Sequence, residues 1–265
     1  GGNPGTTIGQ QRLNLFQRAA AIWDAILGSS VEIRIEANFD PLSCTATSAV
    51  LGAAGPNGVE ADFANAPHAG TWFAVAQANR LAGTDLQPAV NDLGCVFNSN
   101  IGNTGCLTGR PWYYGYDGQE GNGVDLLPVL LHEFGHGLGF LTYTDEATGN
   151  YFNGLPMVYD RFLKDDISGK RWIEMTPAER VASAVNTSHL VWDGPAVNAA
   201  APNRLGPRAR VIASGALAAE YLAVQATFGT PLTEAGFTAQ AVDVNDGVGT
   251  VRDGCETPYA NAAQV

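Results

Sequence analysis

Residues 125–140 read DLLPVLLHEFGHGLGF, and this stretch predicts a helix that carries reactive side chains. Asp125 can cap the helix, and Pro128 falls in the first turn, where no backbone donor is lost. Apolar residues fill most of positions 126–131, which favours a helix with one face in the core. We therefore predict a helix from Asp125 to Gly137.

The same stretch contains two histidines four residues apart, His132 and His136. Residues at this spacing lie one turn apart on the same face of a helix, so both imidazoles can reach one zinc ion at about 2.0–2.1 Å. Glu133 can hold a water molecule bound to that ion, and zinc lowers the pKa of such a water to about 7. We predict that His132 and His136 bind Zn²⁺ and that Glu133 is the general base in peptide-bond hydrolysis.

Two alternatives to this reading stay open. A His-x-x-x-His pair can occur by chance on a core helix, but a buried Glu133 between them is then hard to explain, because unpaired buried charge is costly. The chain could also be a non-catalytic binding module with a vestigial or structural metal site. Two histidines alone hold zinc weakly, since closed structural sites use four protein ligands.

The longer pattern, His132-Glu133-x-x-His136-x-x-Gly139-Phe140, resembles that of the metzincin zinc peptidases. The resemblance implies an α+β catalytic domain, with a twisted mixed sheet, backing helices and an active-site helix. In that clan the glycine, here Gly139, turns the chain toward a third ligand, which would fall at Thr142, a poor zinc ligand. The Gly-Phe pair is most similar to the leishmanolysin-like branch, in which a long insertion delays the third histidine.

A narrower resemblance to secreted bacterial metallopeptidases that contain a protease-associated (PA) domain covers much of the chain. The matching stretches are residues 39–44, 112–115, 132–141, 159–163 and 191–194. In those proteins the third histidine and a Met-turn follow the PA domain. The resemblance implies that this chain is an N-terminal fragment and that the C-terminal remainder of the same protein supplies the third zinc ligand.

The domain organisation follows from composition and from this resemblance. Pro195, Pro202 and Pro207 predict a linker, and the stretches 253–255 and 258–263 are similar to the first part of a PA domain. We expect residues 1–200 to form the N-terminal part of the zinc peptidase domain. Residues 205–265 are expected to begin a β-rich, PA-like inserted domain.

An in-chain third ligand is the remaining alternative for the metal site. A downstream carboxylate would make the protein a gluzincin- or aspzincin-like peptidase. The candidates that follow the motif are Asp145, Glu146, Asp160, Glu174 and His189, of which Asp160 is favoured. Met157 is assigned to core packing in preference to a Met-turn.

Periodic patterns elsewhere predict both helices and strands, as an α+β fold requires. The predicted helices cover about residues 8–27 and 71–81, and a further helix begins at the Thr176 cap; the predicted strands are 31–39, 93–98 and 112–114. A polypeptide substrate is expected to bind extended along an edge strand by main-chain pairing.

Charge and cysteine content bear on partners and location. The chain has 14 Lys and Arg against 26 Asp and Glu, a net charge of −12, which argues against duplex DNA or an anionic membrane surface as partners. No apolar run reaches the roughly 18 residues that would span a bilayer. The acidic balance, few lysines and four cysteines favour a secreted protein whose leader has been removed.

The four cysteines allow three disulfide pairings, and the sequence alone does not choose among them. A Cys95–Cys106 bond around a loop rich in Gly and Asn is the favoured expectation. Cys44 and Cys255 can then pair with each other, or Cys255 can have a partner elsewhere.

Overall fold

The computed structural model describes residues 1–186, 188–204, 209–213 and 219–223. The chain divides into two compact units, Gly1–Pro195 and Ala196–Val265. Helices and small mixed sheets occur together, so the prediction of an α+β fold is confirmed at that level. No helix in the described ranges is long and apolar enough to cross a membrane.

The helices and strands of the described residues are as follows. The helices are α1 (Ile8–Leu27), α2 (Val75–Ala82), α3 (Leu126–Gly137), α4 (Pro177–Ala184) and α5 (Pro195–Arg204), with short 3₁₀ turns at Phe152–Gly154, Tyr159–Arg161 and Trp172–Glu174. The strands are β1 (Ile35–Asp40), β2 (Gly52–Pro56), β3 (Val59–Glu60), β4 (Phe73–Ala74), β5 (Leu93–Asn98), β6 (Trp112–Tyr113), β7 (Val124–Asp125), β8 (Leu163–Asp165), β9 (Leu190–Trp192), β10 (Ala209–Ala213) and β11 (Ala219–Ala223).

Helix α1 begins and ends where the sequence predicts. The Thr7 hydroxyl accepts a hydrogen bond from the Gln10 amide, which satisfies one of the free donors of the first turn. Gly28 ends the helix in the left-handed conformation, with φ of 57°. Leu15 and Ala19 are fully buried and belong to the same core cluster as Phe134 of α3.

The central sheet has three strands in the order β1-β5-β2. Strand β5 is parallel to β1 and antiparallel to β2, and it matches the predicted strand 93–98. Its alternate residues Leu93, Cys95 and Phe97 are buried in the main core. Strand β1 is shorter than predicted, because its pairing with β5 begins only at the Ile35–Leu93 pair.

Two other boundaries differ from the prediction. Helix α2 begins at Val75 instead of Thr71, because Phe73 and Ala74 form β4 and pair with β3. The segment from Pro195, predicted to be a linker, is the helix α5. Proline suits the first turn of a helix and alanine has the highest helix propensity, which favours a helix that begins at Pro195.

The disulfide prediction is wrong. Cys44 is bonded to Cys106, with a Cα–Cα distance of 5.1 Å, and this pairing also excludes a Cys44–Cys255 bond. Cys95 is a free, buried thiol on β5. The alternation of the strand turns its side chain into the core, where burial raises the pKa of Cys95 to about 12.

A second, smaller core lies further along the first unit, formed by Leu163, Trp172 and Met175. Helix α4 begins as predicted, with a reciprocal capping box between Thr176 and Glu179. Buried Arg180 on this helix donates to the carbonyl oxygens of Gly149, Trp172 and Met175, which joins the loop at Gly149 and the turn at residues 172–175 to α4.

Strands β10 and β11 pair in antiparallel fashion within the second unit. The stretches 253–255 and 258–263, predicted to begin a PA-like domain, lie outside the described residues. The assignment of residues 205–265 to that domain therefore stays a prediction.

Candidate metal centre

Helix α3 forms where the sequence predicts it and presents two different faces. The Asp125 carboxylate accepts a hydrogen bond of 3.1 Å from the Leu127 amide and caps the first turn. Leu126, Leu130 and Phe134 recur every fourth residue and are almost fully buried. His132 lies on the other side of the helix and is exposed to solvent. Core packing therefore fixes the helix and turns the histidine face outward.

The two histidine rings converge on one point. Nε2 of His132 lies 2.9 Å from Nε2 of His136, and the rings are nearly perpendicular. Nδ1 of His136 lies 2.8 Å from the carbonyl oxygen of Phe140. Since a carbonyl oxygen only accepts, this contact assigns the proton to Nδ1 and leaves a lone pair on Nε2. His136 thus directs a lone pair toward His132, as a metal ligand does.

Gly139 makes the turn that brings the Phe140 carbonyl into place. The Phe140 amide donates to the Gly135 carbonyl and the Gly139 amide to the His136 carbonyl, each at 3.0 Å, which is a Schellman arrangement. Gly139 has φ of 110°, and a Cβ atom there would lie 2.5 Å from the side-chain amide of Gln77. The backbone conformation at this position therefore requires glycine, and the Gln77 amide would have to move to make room for a Cβ atom.

Glu133 is buried beside the histidine pair, with only 7 % of the residue exposed. Its Cγ lies 3.2 Å from the position that a Cβ on Gly52 of β2 would take. Burial raises the pKa of the Glu133 carboxyl, and the charges of His136 and His132 act in the opposite direction. No hydrogen bond to this carboxylate is found within the described part of the chain, so the group is left free for chemistry.

The two imidazole nitrogens are of a type that binds zinc, but they supply only two ligands. Two ligands at about 2.0–2.1 Å from a tetrahedral ion lie about 3.3 Å apart. The two Nε2 atoms, at 2.9 Å, would therefore have to move apart by about 0.4 Å to hold such an ion. The residues described, however, contain no group of three or more His, Cys, Asp or Glu side chains that could hold an ion. Any further ligand of these types must come from outside the described ranges, or be water.

The five candidates for an in-chain third ligand are not brought to the histidine pair. Asp160 is fully buried and accepts from the Thr144 hydroxyl at 2.9 Å and from the Met157 amide at 2.8 Å. His189 contacts Asp166 at 2.7 Å. The remaining three are Asp145, which accepts from two amides of its own turn, Glu174, which accepts from the Arg171 amide, and Glu146, which is exposed.

Met157 and Thr142, two other residues considered from the sequence, have structural roles. Met157 is 1 % exposed, so the prediction of core packing is confirmed. The Thr142 hydroxyl accepts a hydrogen bond from the Thr144 amide and helps to shape the loop after the turn.

Sequence reasoning missed the strand beside the site. Strand β2 packs on α3 and, among the described strands, pairs with β5 alone. The Asn98 amide donates to the Leu51 carbonyl and the Asn57 amide to the Asp92 carbonyl, each at 2.9 Å. In an antiparallel pair only alternate residues bond to the neighbouring strand. Because Leu51 and Asn57 bond to the β5 side, the N–H and C=O groups of Gly52 and Ala54 point away from β5. The small residues of β2 give no β-propensity signal, and two glycines so close were the only hint.

Comparison with known proteins adds no assignment. No family model matches the chain. The searches of curated proteins and of solved structures return no match either.

Proposed function

We propose that this chain is part of a secreted zinc-dependent endopeptidase of the metzincin type, similar to the leishmanolysin-like peptidases. His132 and His136 hold the metal and Glu133 is the general base. The observation that carries the proposal is the pair of facing Nε2 atoms, one of them fixed as a lone-pair donor by the Phe140 carbonyl. A free buried carboxylate lies next to this pair, which is the third element that the chemistry needs.

Each side chain has a defined task in the proposed reaction. A bound zinc ion supplies Lewis acidity, which acidifies water and polarises the carbonyl group of the peptide bond. The Glu133 carboxylate accepts a proton from the attacking water and later delivers it to the leaving amine nitrogen. Its raised pKa suits this double role, because a proton carrier works best when its pKa approaches the working pH. His136 stays oriented because its Nδ1–H is held by the Phe140 carbonyl.

The edge of β2 supports an extended polypeptide as the substrate. Gly52 lies next to Glu133, so a peptide paired with this edge would pass close to the general base. The outward main-chain groups of Gly52 and Ala54 recognise a peptide backbone and not particular side chains. We therefore propose main-chain pairing on β2 as the way in which substrate is held.

The proposal includes a third ligand from the C-terminal remainder of the same protein, beyond a PA-like inserted domain. Its support is that two imidazoles are an incomplete set for a tightly held zinc ion. Secretion is proposed on the same resemblance, and the Cys44–Cys106 disulfide is of the kind that forms in an oxidising compartment.

The test is the Glu133→Gln variant of the protein with its C-terminal remainder, compared with Glu146→Gln as a matched exposed control. Glu133→Gln should lower kcat/KM on a denatured protein substrate by about 10²–10⁴-fold, because proton transfer is lost. Zinc content, measured by atomic absorption, should stay at one ion per chain. Cleavage by Glu133→Gln at the rate of Glu146→Gln would contradict the assignment of the base.

A binding module with a vestigial metal site is the second candidate function, favoured by the missing third ligand in the described ranges. It predicts that the protein loses zinc on simple dialysis and cleaves nothing. The peptidase proposal predicts that zinc is retained by the protein with its remainder. Metal analysis before and after dialysis, on the chain with and without that remainder, separates the two functions.

A further inference from the structure

Two aromatic side chains in the segment that follows α3 are exposed and lie side by side. Tyr143 is 36 % exposed and Phe152 is 43 % exposed, and their ring centroids lie 5.5 Å apart. A single exposed apolar residue is ordinary, whereas adjoining ones mark surfaces that contact another molecule. We call Tyr143 and Phe152 the aromatic pair.

Trp72, which precedes β4, holds the aromatic pair in position. The Trp72 indole N–H donates to the Phe152 carbonyl at 3.0 Å, and the two rings lie 6.2 Å apart. The Trp72 amide donates to the Pro156 carbonyl, and the Trp72 carbonyl accepts from the Val158 amide, each at 2.8 Å. The loop that carries Phe152 is therefore tied to Trp72 by its main chain, so the rings are exposed in a preformed arrangement.

The aromatic pair adjoins β2, the strand on which substrate pairing is proposed. A Cβ atom on Gly55 would lie 4.0 Å from the Tyr143 hydroxyl and would meet no other atom of the described residues within that distance. Gly55 therefore leaves open space beside the strand, with Tyr143 at its far side. Gly52, which adjoins Glu133, lies three residues earlier on β2, about 10 Å away at the rise of a β-strand.

A peptide paired with β2 would place one of its side chains in this open space. Opposed residues of two paired strands have their side chains on the same face of the sheet, so the residue opposite Gly55 turns its side chain toward Tyr143. Burial raises the pKa of the Tyr143 hydroxyl, and no charged group of the described residues contributes to the shift. A charged substrate side chain would therefore find no opposite charge beside this ring.

We infer that Tyr143 and Phe152 are specificity-determining residues that bind a large apolar side chain of the substrate, about three residues from the cleaved bond. The inference rests on the proposed peptidase function and adds a preferred substrate class, extended segments with an aromatic or long aliphatic residue at this position. The affinity comes from burial of that side chain against the two rings and the bare backbone of Gly55. Main-chain pairing on β2 alone would give no such preference.

The experiment measures kcat/KM on fluorogenic peptides, with the protein and its proposed C-terminal remainder. Phe, Leu, Ala or Glu is placed in turn at each position on either side of the cleaved bond in an alanine host peptide, and mass spectrometry identifies the bond. At the third position on one side, Phe and Leu should be cleaved about 5- to 20-fold faster than Ala, which is the effect of partly burying one apolar side chain. Glu should be cleaved no faster than Ala.

Variants locate the preference. Tyr143→Ala and Phe152→Ala should each lower the Phe-to-Ala ratio by at least about 3-fold, whereas Tyr143→Phe, which keeps the ring, should retain it. Gly55→Val fills the open space and should also lower the ratio, and this variant decides the matter should Tyr143→Ala fail to fold. The matched control is Ile167→Ala, which removes an exposed apolar side chain in the turn after β8 and should leave the ratio unchanged.

The outcomes separate the inference from the function on which it rests. Cleavage of all peptides at equal rates, or a preference that survives in Tyr143→Ala and Gly55→Val, would overturn the inference and leave the proposed hydrolysis intact. Absence of cleavage would contradict the proposed function, and the aromatic pair is then tested by peptide binding to the unmodified chain, measured by fluorescence anisotropy. The Phe peptide should bind about 5- to 20-fold more tightly than the Ala peptide, and equal affinities would overturn the inference.

Discussion

Glu133 and Asp160 are both buried carboxylates, and their surroundings are opposite. Glu133 lies on α3 with no hydrogen bond from the described residues, next to two histidine rings that reach solvent. Asp160 lies in a 3₁₀ turn and is closed in by the Thr144 hydroxyl and the Met157 amide. Burial raises the pKa of both groups. The comparison teaches that a raised pKa alone does not mark a reactive group.

The two carboxylates differ in whether their neighbours donate hydrogen bonds to them. The groups around Asp160 are donors from its own loop, so they use one of its oxygens to fix residues 144–160 in place. The groups around Glu133 are a strand glycine, a buried thiol and two imidazoles, none of which ties the carboxylate down. A free carboxylate beside two facing imidazole nitrogens is suited to proton transfer, and a bonded one is suited to holding a loop.

The largest expected effect is on zinc affinity, and it should appear at the histidine pair but not at Asp160. If the proposed site is correct, His136→Gln should weaken zinc binding by at least about 100-fold, because it removes a proposed ligand together with the tautomer fixed by Phe140. Asp160→Asn should leave the affinity within about twofold, because Asp160 is bonded elsewhere. The measurement is competition against a fluorescent chelator, on the protein with the proposed C-terminal remainder. A large loss of affinity in Asp160→Asn would instead favour Asp160 as an in-chain zinc ligand.

A smaller effect is expected on stability at Gly139, in the turn after α3. Gly139→Ala should destabilise the chain by about 1–3 kcal/mol, because a non-glycine residue at φ of 110° is strained and the Gln77 amide must move to admit the Cβ atom. Gly9→Ala is the matched control, since nothing lies within 4 Å of a Cβ there and the residue is in α1. It should stabilise by up to about 1 kcal/mol. Urea unfolding checks both, and equal effects would contradict the role given to Gly139.

The site helix could be predicted from sequence because its signals are local. The cap Asp125, the apolar spacing and the glycine after the helix all act within a few residues, and the structure places α3 within one residue of the prediction. The His-Glu-His pattern likewise needs only the geometry of one helix. The Phe140 carbonyl follows from the same turn, although no side-chain pattern indicates it.

The features that sequence failed to predict depend on contacts between distant segments. The Cys44–Cys106 bond joins residues 62 positions apart, and nothing in the spacing distinguishes Cys44 from Cys95. Strand β2 is made of Gly, Ala and Pro, so only its pairing with β5 defines it as a strand. Asp160 was weighed as a ligand by its distance along the chain, and its burial became visible only in three dimensions.

The smallest effect tests the structural role of Asp160 through stability and pH. Burial raises the pKa of Asp160 in the folded chain, and contacts with Thr142, the Met157 amide, Thr144 and Arg180 offset this only in part. The folded state therefore holds the proton more tightly than the unfolded state, so stability falls as pH rises through the interval above the ordinary pKa of Asp, about 3.9. Asn keeps an acceptor oxygen and cannot ionise.

We therefore expect Asp160→Asn to raise Tm by about 2–4 °C at pH 7, which corresponds to about 1 kcal/mol. The gain should shrink as pH is lowered toward 4, because the unfolded state then begins to bind the proton that the folded state already holds. Calorimetric scans of the two proteins from pH 4 to pH 7 measure this difference. A variant that loses stability, and loses more of it as pH rises, would mean that the charge of Asp160 stabilises the loop. The contrast between Asp160 and Glu133 would then rest on solvent access alone.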